Sequence, residues 1–168
     1  ACIDPVVTDE KPGEAATLIP QVSSEEFFWP DSGFVDPSGT TLWVIAKHVV
    51  VDPNSVWGFD IVGQVAAKFS LPDLTYQSMV PMPDPPYQGD GGWTLPHVEG
   101  GWVHLYADKG FDHYVARFPA NDATWADGDS WEYFTGSSSP APAWSTDSAD
   151  MRTMVFNSVD RCSNSSSS

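Results

Sequence analysis

The sequence predicts an all-β fold, and three observations carry that expectation. Eight Trp, nine Phe and five Tyr sit in 168 residues beside fifteen Pro and thirteen Gly. So many aromatic side chains supply the apolar area that a packed core needs. The Pro and Gly content suits short strands joined by tight turns. Runs of β-branched and aromatic residues recur along the chain, and no segment sustains a 3.6-residue apolar period. The length allows one domain with its own core.

Taken in order, residues 1–24 have weak periodicity and read as an extended lead-in. Gly33-Phe34-Val35 then meets Asp36-Pro37-Ser38-Gly39, a turn in which Pro presets φ and Gly tolerates positive φ. Thr41 to Ala46 and Val49 to Val51 are strand-like, and Val62 to Phe69 is the next strand. The same order returns later. Leu95 to Val98 meets the turn Glu99-Gly100-Gly101, followed by Trp102 to Tyr106, Tyr114 to Phe118 and Trp131 to Thr135. Asn121 to Ala126 is predicted to form at most one helical turn. Residues 158–168 end in a Ser-rich tail that cannot pack, which leaves 25–157 as the folded domain.

That recurrence is an internal repeat. Ala67-Lys68-Phe69, with Asp73, Thr75 and Tyr76, aligns at a constant offset of 49 with Ala116-Arg117-Phe118, Asp122, Thr124 and Trp125. The hairpins of Trp43 and Trp102 align upstream at about 60, the difference falling in the Asp52-Pro53-Asn54-Ser55 loop. Four short antiparallel strands repeated at this spacing fit a propeller blade. The expected architecture is a partial β-propeller, with two complete four-stranded blades and Met151 to Phe156 opening part of a third. A β-sandwich with two similar hairpins is the alternative. An open ring leaves sheet faces uncovered, which predicts self-association or marginal stability.

Charge narrows the partners. Twenty-three acidic against seven basic residues give a formal net charge of −16. No basic surface exists to displace counterions from phosphates, so nucleic acid is excluded as a partner. No stretch approaches eighteen apolar residues, so no membrane-spanning helix is expected. The balance suits an extracellular, secreted protein that binds neutral or cationic ligands, and the start at Ala1-Cys2 reads as a processed end. Cys2 and Cys162 lie near the two ends; a disulfide would tie the termini together, and two free thiols are the alternative. His48, His104 and His113 lack zinc spacing, and Asp122, Asp127, Asp129 and Glu132 fail the calcium-loop pattern, so no metal or cofactor is expected.

Several stretches carry a family resemblance. Phe28-Trp29-Pro30-Asp31-Ser32-Gly33-Phe34-Val35, Gly58-Phe59-Asp60-Ile61-Val62-Gly63, Tyr114-Val115-Ala116-Arg117-Phe118-Pro119 and Ser130-Trp131-Glu132-Tyr133-Phe134-Thr135-Gly136 resemble a group of secreted bacterial proteins. These are five-bladed propellers catalogued as domains of unknown function. They are similar to glycoside hydrolases that act on furanosides, some being endo-arabinanases. The resemblance covers about residues 25–157 and implies that this chain carries the second and third blades.

Hydrolysis of a glycosidic bond needs one carboxyl as acid and another as base or nucleophile. In the resembled enzymes the first three blades supply an Asp, a tuning Asp and a Glu. Asp31 falls where the tuning Asp would be. The third blade's inner strand reads Gly91-Gly92-Trp93-Thr94-Leu95-Pro96-His97 and lacks the acid, with Asp90 just before it and Glu99 in the turn beyond. Asp31, Asp60, Asp90 and His97 are therefore the candidate catalytic residues. The ordinary alternatives are a turn for Asp31, a flexible loop for Asp90, a buried ion pair with Lys68 or Arg117 for Asp60, and core packing for His97. Trp29, Trp57 and Trp93 are candidate sugar-stacking residues, with inter-blade packing as their alternative. The expected ligand is a polysaccharide or oligosaccharide of furanose type, handled by a hydrolase-like fragment or held by a non-catalytic binding module.

Overall fold

The computed structural model describes residues 17–85, 92–121, 128–138 and 141–154. Strands β1 (Glu26–Val35), β2 (Thr41–Val51), β3 (Phe59–Ser70) and β4 (Thr75–Pro81) form one sheet in sequence order. Strands β5 (Thr94–Glu99), β6 (Trp102–Lys109), β7 (Asp112–Pro119), β8 (Glu132–Ser138) and β9 (Ala141–Ser145) form a second. All neighbouring strands are antiparallel. The all-β expectation holds, as two meanders with the proportions of propeller blades. No helix among the described residues is long and apolar enough to cross a membrane.

Local chemistry explains the turns. Asp36 accepts hydrogen bonds from the Ser38 hydroxyl at 2.6 Å and the Thr41 backbone at 2.9 Å, and Gly39 takes φ +73° to close the β1–β2 turn. Burial pushes the Asp36 carboxyl up, but the bonds from Ser38, Thr41 and Thr40 outweigh it and hold it below the usual range. In β2, Trp43 and Ile45 are buried on one face while Val44 and Ala46 are buried on the other, so this central strand is one continuous apolar run.

The main core lies between the sheets, where Trp43, Ile45 and Ala66 join Val103, Leu105 and Phe118. A second cluster occupies the far face of the first sheet, where Val44, Ala46, Ala67 and Phe69 are buried together with Ile19 from the lead-in. The edge strands β1 and β5, the first of each sheet, run close to one another. Gln64 joins the two sheets: its Nε2 donates to the Trp93 carbonyl at 2.9 Å and its Oε1 accepts from the Trp93 amide at 2.6 Å.

Strand register makes the repeat structural. Leu42 pairs with Phe69 and Trp43 with Lys68 in the first sheet. Val103 pairs with Phe118 and His104 with Arg117 in the second. The two small-cation-aromatic triplets thus occupy the same place. The register also shifts the hairpin alignment by two residues, making His104, not Trp102, the counterpart of Trp43. The segment read as opening a third unit places Met151 in the inter-sheet core, and Met154 forms a single bridge to His113. Val155 and Phe156 lie outside the described residues.

Candidate functional site

The candidate surface is built on the first half of β1. Trp29 remains 40 % exposed although it pairs with Lys47 inside the sheet. Phe59 of β3 meets the Trp29 ring edge-on at 4.7 Å, and Phe27 lies 5.8 Å away. Two aromatic neighbours therefore fix the indole and leave part of it to solvent. Two residues on, the register slips between Pro30 and Ser32, so Asp31 is the extra residue of a β-bulge and is exposed. Pro30 has no N–H to give the ladder, which favours the break here. The adjacent Ser32 hydroxyl oxygen is buried without a hydrogen-bond partner. On β1 and β2 nearby, Glu26 and His48 pair at 2.7 Å, with Phe28 against the imidazole at 5.0 Å.

The second unit repeats the bulge without the acid. Thr94 pairs with Tyr106 and His97 with His104, so Leu95 and Pro96 fill the irregular position. Leu95 takes φ +48° and is exposed. His97 is exposed too; its Nε2 lies 3.7 Å from Glu99, and its ring is 6.5 Å from that of His104. These contacts describe a solvated surface pair. Neither contact involves Asp31.

Asp60 is exposed on β3, opposite Val50. It therefore needs no buried cation. Arg117, offered as a partner for Asp60, bonds Glu132 at 2.6 Å and lies against the rings of Trp102 and Trp144, 4.3 and 4.0 Å from their centroids. Lys68 sits 5.6 Å from the Trp43 ring centre. Trp57 is 79 % exposed in the β2–β3 hairpin.

Trp93 requires a correction. It is fully buried, its indole N–H donates to the Pro83 carbonyl at 3.0 Å, and its ring packs 5.7 Å from that of Trp131. An indole so enclosed has no face for a sugar, so the expected Trp29–Trp93 pair is not a binding surface. Asp90, Cys2, Cys162, Asp122 and Asp127 lie outside the described residues. No cluster of three or more metal-ligating side chains occurs among the described residues.

Sequence reasoning missed the supports of Trp29: Phe27, two residues before it on β1, and Phe59, whose contact depends on β1 and β3 flanking β2. It also missed Gln64, whose side chain reaches across sheets to a residue distant in the chain.

A family model matches residues 5–166 of the chain, nearly its whole length. The chain belongs to the family described as Domain of unknown function (DUF5005). No curated protein and no solved structure matches it significantly. The family description assigns this DUF5005 domain no activity, so its function must be read from the surface itself. That surface offers a supported indole and an exposed carboxylate on one bulged edge strand. A carboxylate accepts hydrogen bonds from hydroxyls and an indole face takes apolar C–H groups.

Proposed function

We propose that the domain is a secreted carbohydrate-binding module of propeller type, related to furanoside-acting glycoside hydrolases but without hydrolytic activity. The observation that carries this reading is the pair of bulged edge strands, Asp31 in one and Leu95 in the other. A shared scaffold that keeps one acid and replaces its counterpart with an apolar residue retains a hydroxyl acceptor but no acid–base couple. Trp29, backed by Phe59 and Phe27, supplies the stacking surface. The net charge of −16 favours neutral glycans over acidic ones.

The test runs two assays on arabinans, fructans and xylans. Affinity electrophoresis is expected to show retardation of the wild-type chain and its loss in Trp29→Ala. Reducing-sugar release is expected to stay at background for wild type and Asp31→Ala alike. Turnover by the wild type that disappears in Asp31→Ala would replace this reading with that of a working glycosidase.

A further inference from the structure

We propose that the apex of the β2–β3 hairpin is a second sugar subsite, so that the domain binds an extended neutral polysaccharide along its length rather than at a chain end. The inference rests on the glycan reading of Trp29. Its own observation is a different one: Val56 and Trp57 are 93 % and 79 % exposed, side by side, at the tip of a hairpin. Adjacent large apolar side chains this exposed mark a contact surface.

The loop that presents them is held by its own hydrogen bonds. The Asp52 amide donates to the Gly58 carbonyl at 3.1 Å, and the Ser55 and Gly58 amides close successive turns onto Asp52 and Ser55 at 3.0 Å. Asp52 Oδ1 accepts from the Asn54 amide at 2.8 Å, and the Ser55 hydroxyl donates to the Phe59 carbonyl at 2.8 Å. Gly58 then takes φ +75° and returns the chain to β3. Trp57 therefore projects from a braced turn, and little backbone entropy is lost when a ligand meets it.

The tip is continuous with the Trp29 platform. Phe59, which meets Trp29 edge-on at 4.7 Å, follows Trp57 by two residues. The chain places their Cα atoms no more than about 7 Å apart. Two indoles on one end of the first sheet, one on β1 and one on the hairpin, suit a ligand with repeating apolar faces. Charge selects among such ligands. Asp31 and Asp60 are exposed beside these aromatic residues, and Asp52 flanks the hairpin. Carboxylates accept from sugar hydroxyls and repel uronate polymers and anionic lipid surfaces.

The experiment is isothermal titration of the wild type, Trp57→Ala and Trp29→Ala with neutral xylo- and arabino-oligosaccharides of increasing length. Polygalacturonate, poly-lysine and phosphatidylcholine vesicles are run as alternative occupants. The affinity of the wild type is expected to rise about tenfold from the shortest to the longest ligand, the effect of one added aromatic contact. Trp57→Ala is expected to abolish that rise and to keep the short-ligand affinity; Trp29→Ala is expected to lose both. Trp57→Ala binding all lengths like the wild type overturns the second subsite and leaves the Trp29 reading standing. Binding of no sugar by the wild type removes both. Poly-lysine or vesicle binding that depends on Trp57, without sugar binding there, reassigns the hairpin to that partner.

Discussion

Replacing Gln64 by Ala is expected to cost the domain about 3 kcal/mol. The Gln64 amide makes both hydrogen bonds of the Trp93 backbone, at 2.6 and 2.9 Å, and residues 64 and 93 are both buried. Only one orientation of the amide satisfies both groups, so the side chain is fully committed. Truncation leaves an N–H and a C=O without partners inside the inter-sheet core, each worth about 1–3 kcal/mol when unsatisfied. Water entering the vacated space recovers part of that. For a domain of this size, 1 kcal/mol shifts Tm by about 2–4 °C, which makes the expected loss roughly 10 °C. Urea unfolding should show a lower midpoint at an unchanged slope. Gln64→Glu supplies a sharper check. It keeps the acceptor for the amide but turns the donor into a carboxylate facing a carbonyl. Burial would raise the folded pKa of that Glu, so the folded state would hold its proton more tightly and the variant would gain stability as pH falls through that value. A Gln64→Ala loss below about 0.5 kcal/mol would refute the claim that this side chain joins the sheets.

Four further outcomes follow from the same geometry. Trp93→Ala should destabilise by about 3–5 kcal/mol in chemical denaturation, because a fully buried ring leaves a cavity, whereas Trp29→Ala should change stability little and binding strongly. Arg117→Lys should lower the urea midpoint by the equivalent of about 1–2 kcal/mol, since an ammonium cannot lie flat against Trp102 and Trp144 while bonding Glu132. Burial, followed by the Arg117 charge, holds the His104 imidazole below its usual pKa, against a hydrogen bond to the His97 backbone that favours protonation. A histidine depressed in the folded state is protonated first in the unfolded chain, so its stabilising effect is present above about pH 6.5 and is lost as pH falls below that; His104→Gln should flatten stability–pH curves in that window. Ile19→Asp should uncover the apolar far face of the first sheet and produce concentration-dependent association in sedimentation velocity, whereas a monomer with unchanged Tm would show that Ile19 does not cover it.

Much of the fold was legible because its signals are local. β-Branched runs, the Asp36-Pro37-Ser38-Gly39 turn and the repeated Ala-cation-Phe triplet each announce a strand or a turn without reference to the rest of the chain. β9 was not legible. Its sequence, Ala-Pro-Ala-Trp-Ser, contains a Pro that is tolerated because only one neighbour pairs with the strand, and a Pro within a run argues against a strand when read alone. Without β9, the position of Trp144 against Arg117 could not be foreseen. Trp29 and Trp93 illustrate the same limit at the site. Trp29 stands in the first half of β1 and Trp93 immediately before β5, the first strands of the two sheets. Only a tertiary contact separates them, because Gln64 and Trp131 enclose Trp93 while nothing of that kind encloses Trp29. Asp60 lies between aromatic and β-branched residues, which left a buried ion pair as the alternative to a site role, yet it stands beside the hairpin, where Asp60, Ile61 and Val62 are all exposed.

The two units treat their outward faces differently, and the register shows how. The face of the first sheet that meets the second carries Trp43, Ile45 and Ala66, with Lys68 beside them. Their counterparts in the second unit are His104, Tyr106, Val115 and Arg117, on the other face from Val103 and Leu105; Val115 is buried there and the other three are half-buried. Polar groups have thus replaced two of the three apolar side chains, and Trp102, Trp144 and Glu132 engage the retained cation. On the opposite side, Val44, Ala46, Ala67 and Phe69 match Leu105, Ala107, Ala116 and Phe118, and both sets are apolar. In the second unit that face receives the first sheet; in the first unit it is covered in part by Ile19. One outward face is therefore altered in its residues and the other is covered by a segment. Trp29, Asp31 and Trp57 belong to neither means of closure. They lie at the hairpin end of the first sheet, where the domain can keep large aromatic side chains exposed without opening its core.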